Sequence, residues 1–364
     1  MSADQLLIAL MALFAVLGAL DRIFGGRFGI GREFESGILT MGSLALAMVG
    51  IVCLAPVLAA VLRPVVVPVF RLLGADAAMF AGSILACDMG GGALARELTQ
   101  NADAAALGGV ITGSMLGATV VFTIPVAMGI LDESDRPAMA KGILCGIITI
   151  PVGVLVGGLV AGFPLAMVAQ NLIPIVILAA LIALGLWRAE KAMVRGFELF
   201  GKGVVAVSTA GLAAAIAQSL TGWTIIPGMA PIADGFQTVG SIAIVLAGAF
   251  PLVAILTRLL RKPLLAAGKY LGINDAAAAG LIASLANSIA TFGMVKDMNP
   301  RGKVMNIAFA VSAAFVFGDH LGFTAGFAPE LLPAVILGKL SGGVSAVLVA
   351  LLLTAKEGDS TKRS

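Results

Sequence analysis

Asp88, Asp319, His320 and Lys339 are ionisable side chains set inside otherwise apolar stretches, with Arg96 and Glu97 just beyond the first of them. A carboxylate at membrane depth is costly, and it is retained where it faces a cavity, binds a cation or relays a proton. Asp88 stands in SILACDMGGGAL, two residues before three consecutive glycines. That break brings freed backbone groups and a carboxylate together, which suits a small polar site. The plainer reading is a carboxylate that caps broken backbone. Asp319 and His320 are adjacent in VFGDHLGF, and His320 is the only histidine. Such residues bind a cation, pair with each other or relay protons; the plainer reading is a buried pair that fixes helix packing. A neutral His320 accepts from an ammonium or hydroxyl group, and Asp319 is expected to pair with the ring when it is charged.

Asn287-Ser288 interrupts a second apolar stretch, LIASLANSIATFG, and nearly matches Asp88 in an internal repeat described below. Ser114 and Thr119, in GSMLGATVVF, are candidate polar contacts, although such residues more often serve helix packing. Phe122, Phe317 and Phe323 read first as core, with faces that a small ammonium ligand can use. Lys339 lies near the end of its apolar segment and is expected to snorkel to the interface. Arg96-Glu97 reads as an interfacial ion pair. Cys53, Cys87 and Cys145 form no CxxC pair and lie in apolar runs, so neither a disulfide framework nor a metal site is expected. No cofactor is expected either.

The elements that must position these residues are membrane helices. The chain of 364 residues is 60% hydrophobic and 12% charged, and it contains 46 glycines. Ordinary soluble domains carry about 25% charged residues and about 7% glycine. A mean hydropathy of +1.07 leaves no polar cover for a soluble surface. Apolar segments fall at 5–20, 38–62, 77–95, 104–131, 138–161, 165–186, 203–220, 238–256, 276–295, 304–328 and 332–354. The fold class is an all-α polytopic membrane protein, with no alternation of the porin kind. The first segment lacks a basic flank and a small-residue cleavage site, so it is read as a retained helix. Residues 188–202, RAEKAMVRGFELFGK, read as an amphipathic interfacial segment.

Sliding residues 37–84 onto 235–282 without a gap gives 16 identities in 48 positions, among them Gly37/Gly235, Gly50/Gly248, Leu73-Gly74/Leu271-Gly272 and Gly82/Gly280. Internal repeats of this length mark secondary transporters, whose substrate sites lie at the repeat interface. The segments 77–95 and 276–295 correspond, and both are broken. Lys and Arg concentrate in cytoplasmic loops. With both broken segments re-entrant and the N-terminus outside, 19 of the 23 Lys and Arg face the cytoplasm. Eleven full spans place fewer there. The expectation is an inverted-repeat, transporter-like bundle of nine crossings plus two hairpins, with eleven helices as the alternative. Residues 1–161 form the first membrane repeat, 162–186 the connecting crossing, 187–354 the second repeat and 355–364 a cytoplasmic tail.

LACDMGG at 85–91, GSMLGATVVFTIPVAMGI at 113–130 and RGKVMNIAFAVSAAFVFGDHLGF at 301–323 resemble the EutH family, the ethanolamine permeases of bacterial ethanolamine-utilisation operons. AMVGIVCLAPVLAAVL at 47–62 and GKLSGGV at 338–344 fit as well, so the resemblance covers nearly the whole chain. It implies a non-enzymatic facilitator that brings ethanolamine across the inner membrane. Its partners would be that solute and the lipid bilayer, with no nucleic acid and with a homo-oligomer left open. The residues alone imply a small-solute transporter. An ion-coupled carrier of another polar solute, and less readily an intramembrane enzyme using Asp and His, remain as alternatives. The substrate-binding candidates are Asp88, Asp319, His320, Asn287, Ser288, Ser114 and Thr119.

Overall fold

The computed structural model describes residues 2–355. The tail, expected at 355–364, lies almost entirely outside the described residues. The protein is all-α and polytopic: among the described residues, seven helices are long and apolar enough to cross a membrane. The first two are α1 (Ala3–Ile23) and α2 (Ile30–Leu72), the latter widened by one π-type turn at Ala45–Val49. A hairpin follows, made of α3 (Ala78–Ile84) and α4 (Gly92–Leu98), the latter entered through a widened turn at Cys87–Gly91. Next come α5 (Ala102–Ile130), α6 (Arg136–Val160), α7 (Leu165–Thr221) and α8 (Ile232–Leu271). A second hairpin is built from α9 (Asp275–Ala286) and α10 (Ser288–Met294). The last elements are α11 (Pro300–Ala313), α12 (Asp319–Phe327) and α13 (Leu332–Leu353).

Each broken segment closes on itself. Thr99 Oγ1 donates to Asp76 Oδ2 at 2.8 Å, so the end of α4 returns to the start of α3. Asn274 Nδ2 donates to the Asp297 carbonyl at 2.8 Å, and Asn299 Nδ2 to the Gly272 carbonyl at 2.9 Å, so α10 returns to the start of α9. The closing residues correspond in the repeat: Asp76 with Asn274, Thr99 with Asp297. The side chain of each opening residue also accepts from a backbone amide of the helix it introduces, Ala78 at 2.8 Å and Ala277 at 3.2 Å. Gly74 and Gly272 end α2 and α8, both at φ 70°, a conformation glycine adopts without strain.

The two hairpins close at opposite ends of the bundle. Hydrogen bonds link the basic loops at one end. Arg258 donates to the Phe28 carbonyl, Lys303 pairs with Asp135, and Arg301 donates to the carbonyls of Leu271 and Thr354. Glu190, Lys191 and Arg195 line a recess with Glu133 and Arg136 at the same end. The other end carries Asp76, Thr99 and Asn171, together with Arg63 bonded to the Glu97 carbonyl and Arg96 bonded to the Phe327 carbonyl.

Two features differ from the sequence reading. Segments 165–186 and 203–220 lie in two helical stretches of α7 that meet at a kink at Ala189 (φ −144°, ψ 49°), where Gly185 packs against Met193, and the interfacial stretch expected at 188–202 is helical and runs into the second of them. Glu, Lys, Ala and Arg there are strong helix formers, and no proline interrupts them. Segment 304–328, read as continuous, unwinds at 314–318, with Phe315 at φ 62°. The freed amides are satisfied by the second hairpin: Phe315 N–H donates to the Ser284 carbonyl at 3.0 Å and Phe317 N–H to the Leu285 carbonyl at 2.9 Å. Irregular backbone at membrane depth persists where protein supplies such partners.

Candidate functional site

Leu85 (φ −117°, ψ 139°) and Ala86 (φ −62°, ψ 149°) are extended, so the helix breaks in the middle of the bundle and the chain re-enters helix at α4 through the turn at Cys87–Gly91. The turn needs Gly90 at φ 93°, packed on Ile51. The amides of Met89 and Gly91 both donate to the Ala86 carbonyl, at 3.0 and 2.9 Å, which anchors the restart. Asp88 is thereby in the turn that leads into one internal helix, α4, and Asp319 is in the first turn of another, α12. The two half-helices run side by side: Gly92 packs against Phe323 and Phe327, and Arg96 meets the C-terminus of α12. Arg96 also lies 3.5 Å above the Phe327 ring, closing that end.

A cavity of about 180 Å³ lies at the N-terminal ends of these half-helices, walled by Asp88, Met89, Asp319, His320, Phe122 and Phe315, with Ser43 and Ala47 of α2 on one side. One water occupies about 30 Å³ in the liquid, so the space admits a solute of a few heavy atoms. Phe122 and Phe315 meet edge to face at 5.5 Å between centroids, and Phe315 lies 5.3 Å from the imidazole of His320. Two carboxylates beside aromatic faces in a mostly apolar pocket are the recognition set for a small organic cation.

His320 Nε2 is 3.8 Å from Asp88 Oδ1. Its expected partner was Asp319, but successive residues on a helix point about 100° apart, so neighbours do not face each other. On its other edge, His320 Nδ1 is 3.0 Å from Lys339 Nζ, which also donates to the Ser114 carbonyl. Lys339 is 1% exposed, so it does not snorkel to an interface. An ammonium costs about 3 kcal/mol at the centre of a membrane helix, and here the Ser114 carbonyl, the imidazole and the nearby Asp88 carboxylate offset that cost. Cys87, Asp88 and His320 each bring one ligand atom within 4.8 Å of the others. The Lys339 ammonium on the same imidazole opposes a metal cation there.

Of the seven candidates, the structure brings Asp88, Asp319 and His320 together on the cavity. Ser114 turns its hydroxyl back to the Ile111 carbonyl at 2.8 Å and reaches the cluster through its own carbonyl. Thr119 is buried and bridges to the carbonyls of Met115 and Val311, at 2.7 and 3.0 Å. Asn287 caps α10 by accepting from Ile289 N–H at 2.7 Å, and Ser288 is buried behind it; neither lines the cavity. Ser43, Phe315 and Lys339 were missed as site residues. For Ser43 the available signal was its match to Ser241 in the repeat.

The profile of the family described as "Ethanolamine utilisation protein, EutH" matches residues 3–353. A Listeria monocytogenes protein named "Probable ethanolamine permease EutH" is 58% identical over 353 residues, covering 97% of this chain and 95% of its own. Bacillus subtilis "Uncharacterized protein YxeR" is 49% identical, covering 97% and 96%. An Escherichia coli protein also named "Probable ethanolamine permease EutH" is 48% identical over 395 aligned positions, covering 98% and 97%. No solved structure matches the chain significantly. With the profile matched from end to end and relatives this similar over nearly their full length, the chain belongs to the EutH family.

Proposed function

We propose that this protein carries ethanolamine, as the ammonium alcohol, across the plasma (inner) membrane of a bacterium without altering it. The observation that carries this reading is the pairing of Asp88 and Asp319 with the Phe122, Phe315 and His320 rings around one small cavity. The carboxylates accept from the ammonium group, the aromatic faces shield its charge, and the imidazole is left for the hydroxyl. The names of the Listeria and Escherichia coli relatives support the same solute.

The proposed topology is nine crossings and two re-entrant hairpins that enter from opposite faces. The N-terminus is outside and the basic end of the bundle lies in the cytoplasm. The charge distribution supports this orientation, as does the closure of each hairpin at its own end. Residues 1–161 and 187–354 are then inverted halves around a crossing at 162–186.

Proteoliposomes containing only this protein are expected to take up labelled ethanolamine saturably, faster than protein-free vesicles, and to hold it unmodified. Uptake no faster than in protein-free vesicles, or conversion in place of accumulation, overturns the reading.

A further inference from the structure

Lys339 is a buried cation that reaches the cavity wall from behind. It comes from α13, contacts no part of the cavity surface itself, and spends its donors on the Ser114 carbonyl and on Nδ1 of His320. An ammonium nitrogen has donors and no acceptor. With the Ser114 carbonyl accepting from it and the Asp88 carboxylate on the far edge of the same imidazole, we take Lys339 as the charged form, because buried charges persist when they are paired. A donor 3.0 Å from Nδ1 requires that Nδ1 accept. The single proton of a neutral imidazole is then on Nε2, the nitrogen that faces Asp88 across 3.8 Å. That separation is too long for a direct hydrogen bond, and it leaves the Nε2–H directed at whatever occupies the cavity.

We infer that Lys339 is a positioning residue that fixes His320 as its Nε2–H tautomer, so that the cavity offers a carboxylate to the ammonium group and an N–H donor to the hydroxyl oxygen of the solute. The inference rests on the ammonium-alcohol reading for its consequence, and on the Lys339–His320–Ser114 contacts for its substance. It makes Lys339 a determinant of selectivity for amino alcohols over plain alkylamines. An ethylamine molecule satisfies the carboxylates and leaves the Nε2–H without its acceptor, which a buried site penalises.

His320 is the only histidine, so histidine-selective nitrogen-15 labelling gives one imidazole spectrum. In the wild-type protein at neutral pH the expected spectrum has a proton-coupled Nε2 and an uncoupled Nδ1. In Lys339→Met, which removes the donors at similar volume, the tautomers are expected to mix, and Lys339→Arg is expected to restore the Nε2–H form. In uptake competition, the preference for ethanolamine over ethylamine should fall roughly three- to tenfold in Lys339→Met and recover in Lys339→Arg. A wild-type Nδ1–H tautomer, a doubly protonated ring, or the same tautomer population in wild type and Lys339→Met overturns the inference. The wild-type spectrum decides it even if the methionine variant does not fold. Because the spectrum needs no solute, it stands or falls apart from the ethanolamine reading.

Discussion

Asp88 lies in the turn that leads into α4 and Asp319 in the first turn of α12, both at helix starts inside the bundle, where unpaired amides favour negative charge. They, with His320, were legible in the sequence because ionisable groups stand out against apolar runs. Lys339 was misread for the same reason that it matters. A lysine near a segment end ordinarily snorkels, and only the fold brings the Ser114 carbonyl and His320 to its ammonium group. Ser114 and Thr119 show the converse, since a hydroxyl on a helix can bond to the preceding turn, as both do. These placements separate two kinds of variant. Asp319→Asn and His320→Gln are expected to lower transport per folded molecule by about tenfold, the value of one lost contact to charge. Thr119→Val should instead lower stability by about 1 kcal/mol and leave transport per folded molecule near wild type. Uptake normalised to folded protein, read beside thermal unfolding in detergent, checks both expectations. Normal uptake by destabilised Asp319→Asn and His320→Gln would assign those residues to packing.

Among the elements, the two hairpins were visible as polar interruptions, CDMGGG and ANS, whereas the unwound stretch at 314–318 was not. AFVFG holds no proline and, besides Gly318, only apolar side chains, and what opens it is the offer of the Ser284 and Leu285 carbonyls from the second hairpin. The break between 165–186 and 203–220 was legible as a charged interruption and falls at Ala189, whereas the helical state of residues 190–202 was not, although those residues favour helix. Hairpin closure yields a direct test. Asp76→Ala removes the acceptors of Ala78 N–H and Thr99 Oγ1, and should cost about 1.5–3 kcal/mol. Asp76→Asn, which installs the residue the second hairpin uses at the matching position, should recover much of that loss. Gly90→Ala forces a side chain into φ 93° and onto Ile51. The expected cost is about 1–3 kcal/mol, with transport impaired because the same turn carries Asp88. Gly42→Ala, at a position with open space around its Cβ, is the neutral control. Equal thermal midpoints for Gly90→Ala and Gly42→Ala would contradict this account of the turn.

The whole molecule gathers its basic loops at one end, tied by Arg258–Phe28, Lys303–Asp135 and Arg301–Thr354, and closes its first hairpin at the other. The count of Lys and Arg over loops points to the same grouping, because charge sorting acts on loops rather than on folded contacts. Its orientation is testable by labelling, since Cys53, Cys87 and Cys145 are all buried and give little background. An exposed cysteine at Asn101 should react from outside and one at Lys296 from the cytoplasm; reaction of both from the same side would contradict the inverted arrangement. The central claim is that the solute crosses while held by the carboxylate at the first internal helix start. The most direct measurement is the concentration dependence of ethanolamine uptake in proteoliposomes, comparing wild type with Asp88→Asn at equal folded protein. Removing the charge while keeping the size should weaken apparent affinity roughly ten- to a hundredfold, as expected for loss of a charge-assisted contact. A folded, inserted Asp88→Asn protein with the wild-type concentration dependence would contradict the account.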